Sequence, residues 1–392
     1  MNILRKFIDG APRTANEIAQ ETGVSRQTVM KAIQFFIEEG YIASLGKQQA
    51  GSGKPPELFS LSTERYLLSI ALWPDRQSYV LMDLCGRVIA SQGARGALDP
   101  DIGATIRGMG AQSRSLLRAN GADSGALMGV CVSTSGLVSH RENALRFNSL
   151  LPDWGENIAM AEALAPYFPA GTPILLENVG KVVGRALPRA DALNCRRAMT
   201  IFSSWGGVCA CLIEDGRILD GRDSLIGEVG HMVVAPDDDE ICGCGKRGCF
   251  ERQVSAERLR KRVAAEIAAH PDSPLARIPN EALAVGDVFR ASAAGDGFAQ
   301  SLADSLAQSF SILLNNVSVC FNPEAVVLQG DFAAADARFL DALSRALRRF
   351  RYFPQGGPFA LIADARPIDE LNRSGARSLL LERILSALEA SL

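Results

Sequence analysis

The sequence predicts an α/β protein with a winged helix-turn-helix at its N-terminal end and a two-lobed body behind it. Three observations carry this. Residues 1–62 hold three short helical segments and then two apolar runs flanking a Gly/Lys/Gln/Pro-rich loop. From Tyr66 strands alternate with helices, and a hairpin-plus-strand unit occurs twice. Between Gly227 and Glu251, one histidine and three cysteines crowd together among glycines.

The N-terminal segment is read from its punctuation. Ile3, Leu4, Phe7 and Ile8 recur at helical spacing and stop at Gly10-Ala11-Pro12. Thr14-Ala15-Asn16-Glu17 is a capping box opening a short helix that ends at Gly23. Ser25 caps a third helix with Val29, Ile33, Phe36 and Ile37 on one face, closed by Gly40. Two helices joined by a tight turn at Gly23-Val24 fit a helix-turn-helix. The runs 41–45 and 57–61 around the loop Gly46 to Pro56 read as a hairpin, the wing.

The third helix turns Arg26, Gln27, Thr28, Lys31 and Gln34 away from its apolar face, beside the cap Ser25. Arg and Gln suit base edges, Thr and Lys the phosphate backbone. Lys47 and Lys54 of the wing are placed to follow a neighbouring phosphate line. Seven Lys/Arg against six Asp/Glu up to residue 60 keep the segment near neutral, so a protein-interaction module remains the alternative. A DNA site here is local, because a chain net charge of −3 excludes a generalised polyanion-binding surface. One winged helix binds weakly, so specific binding calls for a homodimer or dimer of dimers on two half-sites.

In the body, 66–72, 77–83 and 87–91 read as successive strands, followed by a helix near 102–118 and a strand at 127–133. A helix near 178–187 precedes a second strand set at 199–203, 208–214 and 217–220. A long helix over 298–320, a strand at 325–328 and a tail helix complete the chain. The expected divisions are 1–62 for the winged helix and 63–392 for the body. The body splits into lobe one at about 63–190, lobe two at about 195–375 and a closing helix at about 376–388, with ligand held in the cleft between lobes.

His231, Cys242, Cys244 and Cys249 are the set a structural zinc prefers, with glycines allowing tight turns between the thiols. The spacing is not that of a zinc finger, so the metal is expected to fasten a loop. A disulfide or free buried thiols is the alternative. Nine cysteines without a secretory pattern indicate a reducing cytoplasm. Cys85, Cys131, Cys195, Cys209, Cys211 and Cys320 read as small core residues. Arg5, Lys6 and Asp9 interrupt the N-terminus, and no apolar run is long enough for a bilayer, so a cytoplasmic protein without a membrane partner is expected. Asp237 to Glu240 reads as a solvated acidic run, and His140 and His270 receive no role.

Gly227-Glu228-Val229-Gly230-His231 with Cys242-x-Cys244-x4-Cys249-x-Glu251 resembles the signature of the ROK family of repressors, open reading frames and sugar kinases. The layout is similar to that of the N-acetylglucosamine and xylose repressor type. The resemblance implies an actin/hexokinase-like fold for 63–392 and zinc on the His and three Cys. It implies sugar hydroxyls on Glu228, His231 and Glu251, with Asn148, Asn178 and the turn at Gly136 facing the same sugar. The family kinases' first phosphate hairpin, Asp-x-Gly-Gly-Thr, reads Ala71-Leu72-Trp73-Pro74-Asp75 here. Their second, Gly-Thr-Gly-x-Gly, reads Ser203-Ser204-Trp205-Gly206-Gly207, and their catalytic Asp is Val179. Valine cannot take a proton, so phosphoryl transfer is not expected. The implied function is a DNA-binding regulator, a repressor of carbohydrate uptake or catabolism genes, responding to a sugar or sugar phosphate. The alternatives are a sugar kinase with a regulatory head and an adaptor acting through a regulatory protein partner.

Overall fold

The computed structural model describes residues 3–47, 56–122, 125–148, 150–187, 195–350 and 359–390. The chain divides into two compact units, Met1–Val182 with Asn372–Leu392, and Val183–Leu371.

The first unit opens on a single 3-10 turn, Leu4–Phe7, where the sequence pattern suggested a helix. Gly10 and Pro12 follow too soon for an α-helix to propagate past its unfavourable first turn. A two-residue strand β1 (Arg13–Thr14) leads into α1 (Ala15–Thr22) and α2 (Arg26–Glu38). Both bonds of the Thr14–Glu17 capping box form, and the Ser25 side chain accepts from the Thr28 amide. The wing is β2 (Ile42–Lys47) against β3 (Glu57–Leu61), and β1 pairs with the far side of β3 to give the order β1-β3-β2.

Behind it lie β4 (Tyr66–Trp73), β5 (Arg76–Asp83), β6 (Val88–Arg95), α3 (Ile102–Ala119) and β7 (Leu127–Thr134). A small hairpin, β8 (Leu137–Ser139) and β9 (Ala144–Phe147), precedes α4 (Met160–Leu164), β10 (Ile174–Asn178) and α5 (Val179–Arg185). The sheet order is β10-β7-β4-β5-β6, with β10, β7 and β4 parallel and the rest antiparallel.

The second unit repeats the scheme. Strands β11 (Arg197–Ser204), β12 (Gly207–Glu214) and β13 (Arg217–Ile218) precede the helices α6 (Phe250–Val254), α7 (Ala256–Glu266), α8 (Val285–Ala293) and α9 (Gly297–Cys320). Then come β14 (Ala325–Gly330), α10 (Ala337–Phe350), β15 (Ala360–Ala363) and α11 (Ile368–Ala390). The order β13-β12-β11-β14-β15 has β11, β14 and β15 parallel and β12 and β13 antiparallel. The two sheets thus follow one strand-order rule, in keeping with the hairpin-plus-strand unit that occurs twice in the sequence. The core of this unit is built on α9. Phe310 meets Phe250 edge-on at 4.9 Å and Phe332 at 4.7 Å, which fixes the short helix α6.

The tail helix starts at Ile368, eight residues before its expected start, because Pro367 pre-sets the first turn and Asp369 and Glu370 suit its N-terminal dipole. No helix among the described residues is long and apolar enough to cross a membrane.

Candidate metal centre and nucleic-acid interface

The loop from Gly227 to Glu251 is seated by backbone contact with β12. The Gly227 carbonyl accepts from the Ala210 amide at 2.7 Å. A Cβ on Gly227 would overlap the Ala210 carbonyl, and one on Gly230 would overlap the Val208 carbonyl. Those close approaches explain why the motif needs glycine on either side of Glu228. The segment then makes a 3-10 turn, Val229–His231, and crosses to Cys249 by the isolated bridge Val233–Cys249. The Cys242 amide donates to the Lys246 carbonyl at 2.8 Å, curling the thiol-bearing turn.

The side chains of His231, Cys242, Cys244 and Cys249 converge, each offering one ligand atom, all within 4.8 Å of one another. Cys242 Sγ lies 3.6 Å from His231 Nδ1, and Cys244 Sγ 3.6 Å from Cys249 Sγ. A tetrahedron with Zn–S bonds of about 2.3 Å has edges of about 3.8 Å, so the donor set and spacing fit zinc. With Nδ1 toward the thiols, Nε2 points to Glu228, 4.0 Å from its carboxylate. Glu251 closes the other side, accepting from the Cys242 thiol at 2.9 Å and lying 3.5 Å from His231 Nδ1. Burial pushes the Cys242 and Cys249 thiols up. Cys244 is also raised by burial, but donors around it, the Lys246 amide first, bring it net below its ordinary value.

The acidic run is not simply solvated. Asp238 pairs with Arg258 at 2.6 Å and accepts from Gln253 at 2.9 Å. Glu240 pairs with Arg252 at 3.0 Å and with Lys261. Arg252 and Gln253 belong to α6, and Arg258 and Lys261 to α7, so the run ties the loop to the helices following Cys249. Sequence reading missed this because a short acidic stretch does not disclose its partners.

In the first unit, Asn148 is buried and its amide is committed locally. Its Oδ1 accepts from the Leu150 amide at 3.0 Å, and its Nδ2 donates to Ser135 Oγ at 3.0 Å. Asn178 caps α5, accepting from the Gly180 amide at 2.8 Å, and donates from Nδ2 to the Gly136 carbonyl at 2.7 Å. The two asparagines therefore brace the turn at Gly136 from both sides. His140, left without a role in the sequence, stands 2.8 Å from Glu177, a buried carboxylate that also accepts from the Asn178 amide at 2.7 Å. Thirty-seven positions separate that pair, and no local pattern marks it.

On α2 the apolar face Val29, Ile33 and Phe36 is buried, while Ser25, Arg26, Gln27, Thr28 and Lys31 are all exposed. Lys47 is exposed at the end of β2, and Lys54 lies outside the described residues. The Ser25 side chain is spent on capping and on the Thr28 hydroxyl, which leaves Arg26, Gln27 and Lys31 as exposed polar side chains on this face.

Two family models match the chain, one for winged helix-turn-helix DNA-binding over residues 2–43 and one for the ROK family over residues 111–382. The second spans well over half of the chain. The chain belongs to the ROK family. A glucokinase of Halalkalibacterium halodurans is 28% identical over 44% of this chain and 53% of its own length, so the match spans about half of that relative. An N-acetylglucosamine repressor of Escherichia coli O157:H7 is 24% identical over 87% of this chain and 83% of its own. A crystal structure of a ROK family transcriptional regulator, described as a homolog of the Escherichia coli MLC protein, shares the fold at a TM-score of 0.75 and 20% identity, with 98% of each chain covered.

The structure places the two hairpins and the α5 residue that the resemblance sets against the kinases' phosphate and base positions. Trp73 pairs across β4 and β5 with Arg76, leaving only Pro74 and Asp75 in the turn. The Trp73 indole is 1% exposed and Arg76 stacks on it at 5.2 Å. In the second unit Trp205 sits in the left-handed region at φ 50°, a conformation that favours glycine. Ser203, at the head of that hairpin, donates to Asp331 at 3.1 Å, and burial pushes the Asp331 carboxyl up. Val179 is the first residue of α5 and is buried.

Proposed function

We propose that this chain is a sugar-responsive transcription regulator, a repressor of carbohydrate uptake or catabolism genes, whose ROK body binds a sugar or sugar phosphate without phosphorylating it. One observation carries the reading. An exposed recognition face on α2 and a ROK body with valine at position 179 occur in the same chain. A sugar-binding fold without a carboxylate base at that position has no group to take the hydroxyl proton, so binding is left to signal to the DNA-binding segment. The indoles of Trp73 and Trp205, each in its own hairpin, support the same conclusion.

In this account zinc is structural, bound by His231, Cys242, Cys244 and Cys249, and holds the loop in one geometry. Glu228, Glu251 and the Nε2 of His231 then contact sugar hydroxyls, carboxylates accepting and the imidazole donating. Gly136, with Asn148 and Asn178 bracing its turn, is the further sugar-facing segment that the family resemblance implies. The sugar acts by binding one conformation of the chain more tightly than another, and the two conformations differ in operator affinity. DNA contacts come from Arg26, Gln27, Thr28 and Lys31, with Lys47 and Lys54 on the wing, in a cytoplasmic homodimer or dimer of dimers.

A footprint on the DNA upstream of the protein's own gene tests this. The reading expects two protected half-sites separated by one helical turn, about 34–36 Å, or a multiple of it. No protection at physiological salt, together with sugar-dependent ADP release from ATP, would establish a kinase instead.

A further inference from the structure

Helix α11 touches both ends of the first unit. Near its start, Asn372 is buried and accepts from Ser133 Oγ at 2.8 Å, while its Nδ2 donates to Ser69 Oγ at 3.4 Å. Ser133 lies on β7 just before the Ser135–Gly136 turn that Asn148 and Asn178 brace. Gly375 packs directly on the Val182 carbonyl of α5, the helix that Asn178 caps. The helix therefore reads two elements that converge on Asn178.

Five residues beyond Asn372, about 7.5 Å along the helix axis, Arg377 reaches the other end. Its Nε donates to the Leu84 carbonyl at 2.7 Å, after β5, and its Nη1 to the Ile8 carbonyl at 2.8 Å, in the winged helix. A Cβ on Gly86 would stand 2.9 Å from Arg377 Cδ, so the β5–β6 turn is shaped around this side chain. Burial pulls the Arg377 guanidinium below its ordinary range, the charges of Cys85, Asp83 and Asp9 oppose that shift, and Nη2 has no hydrogen-bond partner among the described residues. Its direct hydrogen bonds are to two backbone carbonyls, and holding a half-buried guanidinium in this way is expensive compared with packing an apolar side chain there. Phe7 and Ile33 of the winged helix, Leu67 and Met82 of the body, and Leu380 and Ile384 of α11 belong to one continuous apolar core.

We propose that α11 is the mechanical link between the Gly136 turn and the winged helix, with Asn372 as its receiving end and Arg377 as the positioning residue that fixes the DNA-binding segment. The link rests on the regulator reading for its purpose, though not for its existence. A displacement of β7 or α5 moves Asn372 and Gly375, and the rigid helix carries it to Ile8 and Leu84.

The test uses the full-length protein with Asn372→Ala, Arg377→Met and Arg377→Lys. Deuterium exchange without DNA or sugar comes first. The link predicts faster exchange in residues 3–10 for Asn372→Ala, although that substitution lies far from them, and unchanged exchange there overturns the proposal. Operator affinity is then measured with and without glucose, N-acetylglucosamine and xylose, each free and phosphorylated. The expected result is that Arg377→Met binds operator within about threefold of wild type but loses at least tenfold of any sugar-induced change, with Arg377→Lys intermediate. A full sugar response in Arg377→Met overturns the proposal. Wild-type operator binding that ignores every sugar defeats the regulator reading instead, and the exchange result still decides whether the link exists.

Discussion

The Sγ atoms of Cys244 and Cys249 stand 3.6 Å apart, which is the spacing of two corners of a zinc tetrahedron and far beyond the ~2.0 Å of a disulfide. The same cluster places Glu251 against Cys242 and turns His231 Nε2 toward Glu228. One metal can thus set the direction of Glu228, His231 and Glu251, the three side chains proposed above to contact sugar hydroxyls.

Zinc binding is accordingly expected to depend on pH and on Cys244. Burial raises the Cys242 and Cys249 thiols, so both are protonated at neutral pH and must lose protons to the metal. Affinity therefore rises with pH, by up to about a hundredfold per unit for two released protons. A chelator competition between pH 6 and pH 8 reads the slope. Cys244→Ser is expected to lose the zinc and the sugar response while the winged helix keeps its operator affinity, checked by metal analysis alongside operator titration.

The clamp formed by the acidic run gives the loop a second hold, one that acid weakens. Hydrogen bonds from Arg252 and Lys261 draw Glu257 down to about 2. Burial pushes Asp238 and Glu240 up, but Gln253, Arg258, Lys261 and Arg252 outweigh it and leave both net low. Carboxylates depressed on folding stabilise above their ordinary range and lose that contribution as pH falls through their folded values. Thermal stability of the metal-free protein should therefore fall below about pH 4. Asp238→Asn should cost on the order of 1 kcal/mol at pH 7 and little at pH 3, as read by denaturant melts at both pH values.

The winged helix yields a prediction that separates specificity from affinity. Arg26→Ala should cost about 1–3 kcal/mol on the preferred operator and much less on random DNA. Lys31→Ala should weaken both alike and reduce the salt slope by about one. Titrations at several salt concentrations on both DNAs check the two outcomes.

What the sequence disclosed depended on distance along the chain. The Thr14–Glu17 box and the Ser25 cap were legible because capping is a three-residue affair, and both form as read. The ligand cluster was legible because four soft donors lie close together between glycines. The pairing of β1 with β3 escaped notice because a two-residue strand has no periodicity. His140 with Glu177, Ser203 with Asp331 and Arg377 with Ile8 join residues 37 to 369 positions apart, and only the fold brings them together. The resemblance sets Asn148 and Asn178 toward a sugar, while their amides are spent on the backbone and hydroxyl of the turn itself.

The most direct test of the central claim is the affinity of the full-length protein for its operator, measured by fluorescence anisotropy as sugars are added. The account predicts that one sugar or sugar phosphate weakens binding at least tenfold, a coupling of about 1.4 kcal/mol or more, and that adding Mg-ATP produces no ADP. Operator binding indifferent to every sugar, or stoichiometric phosphorylation of the sugar that binds, would contradict it.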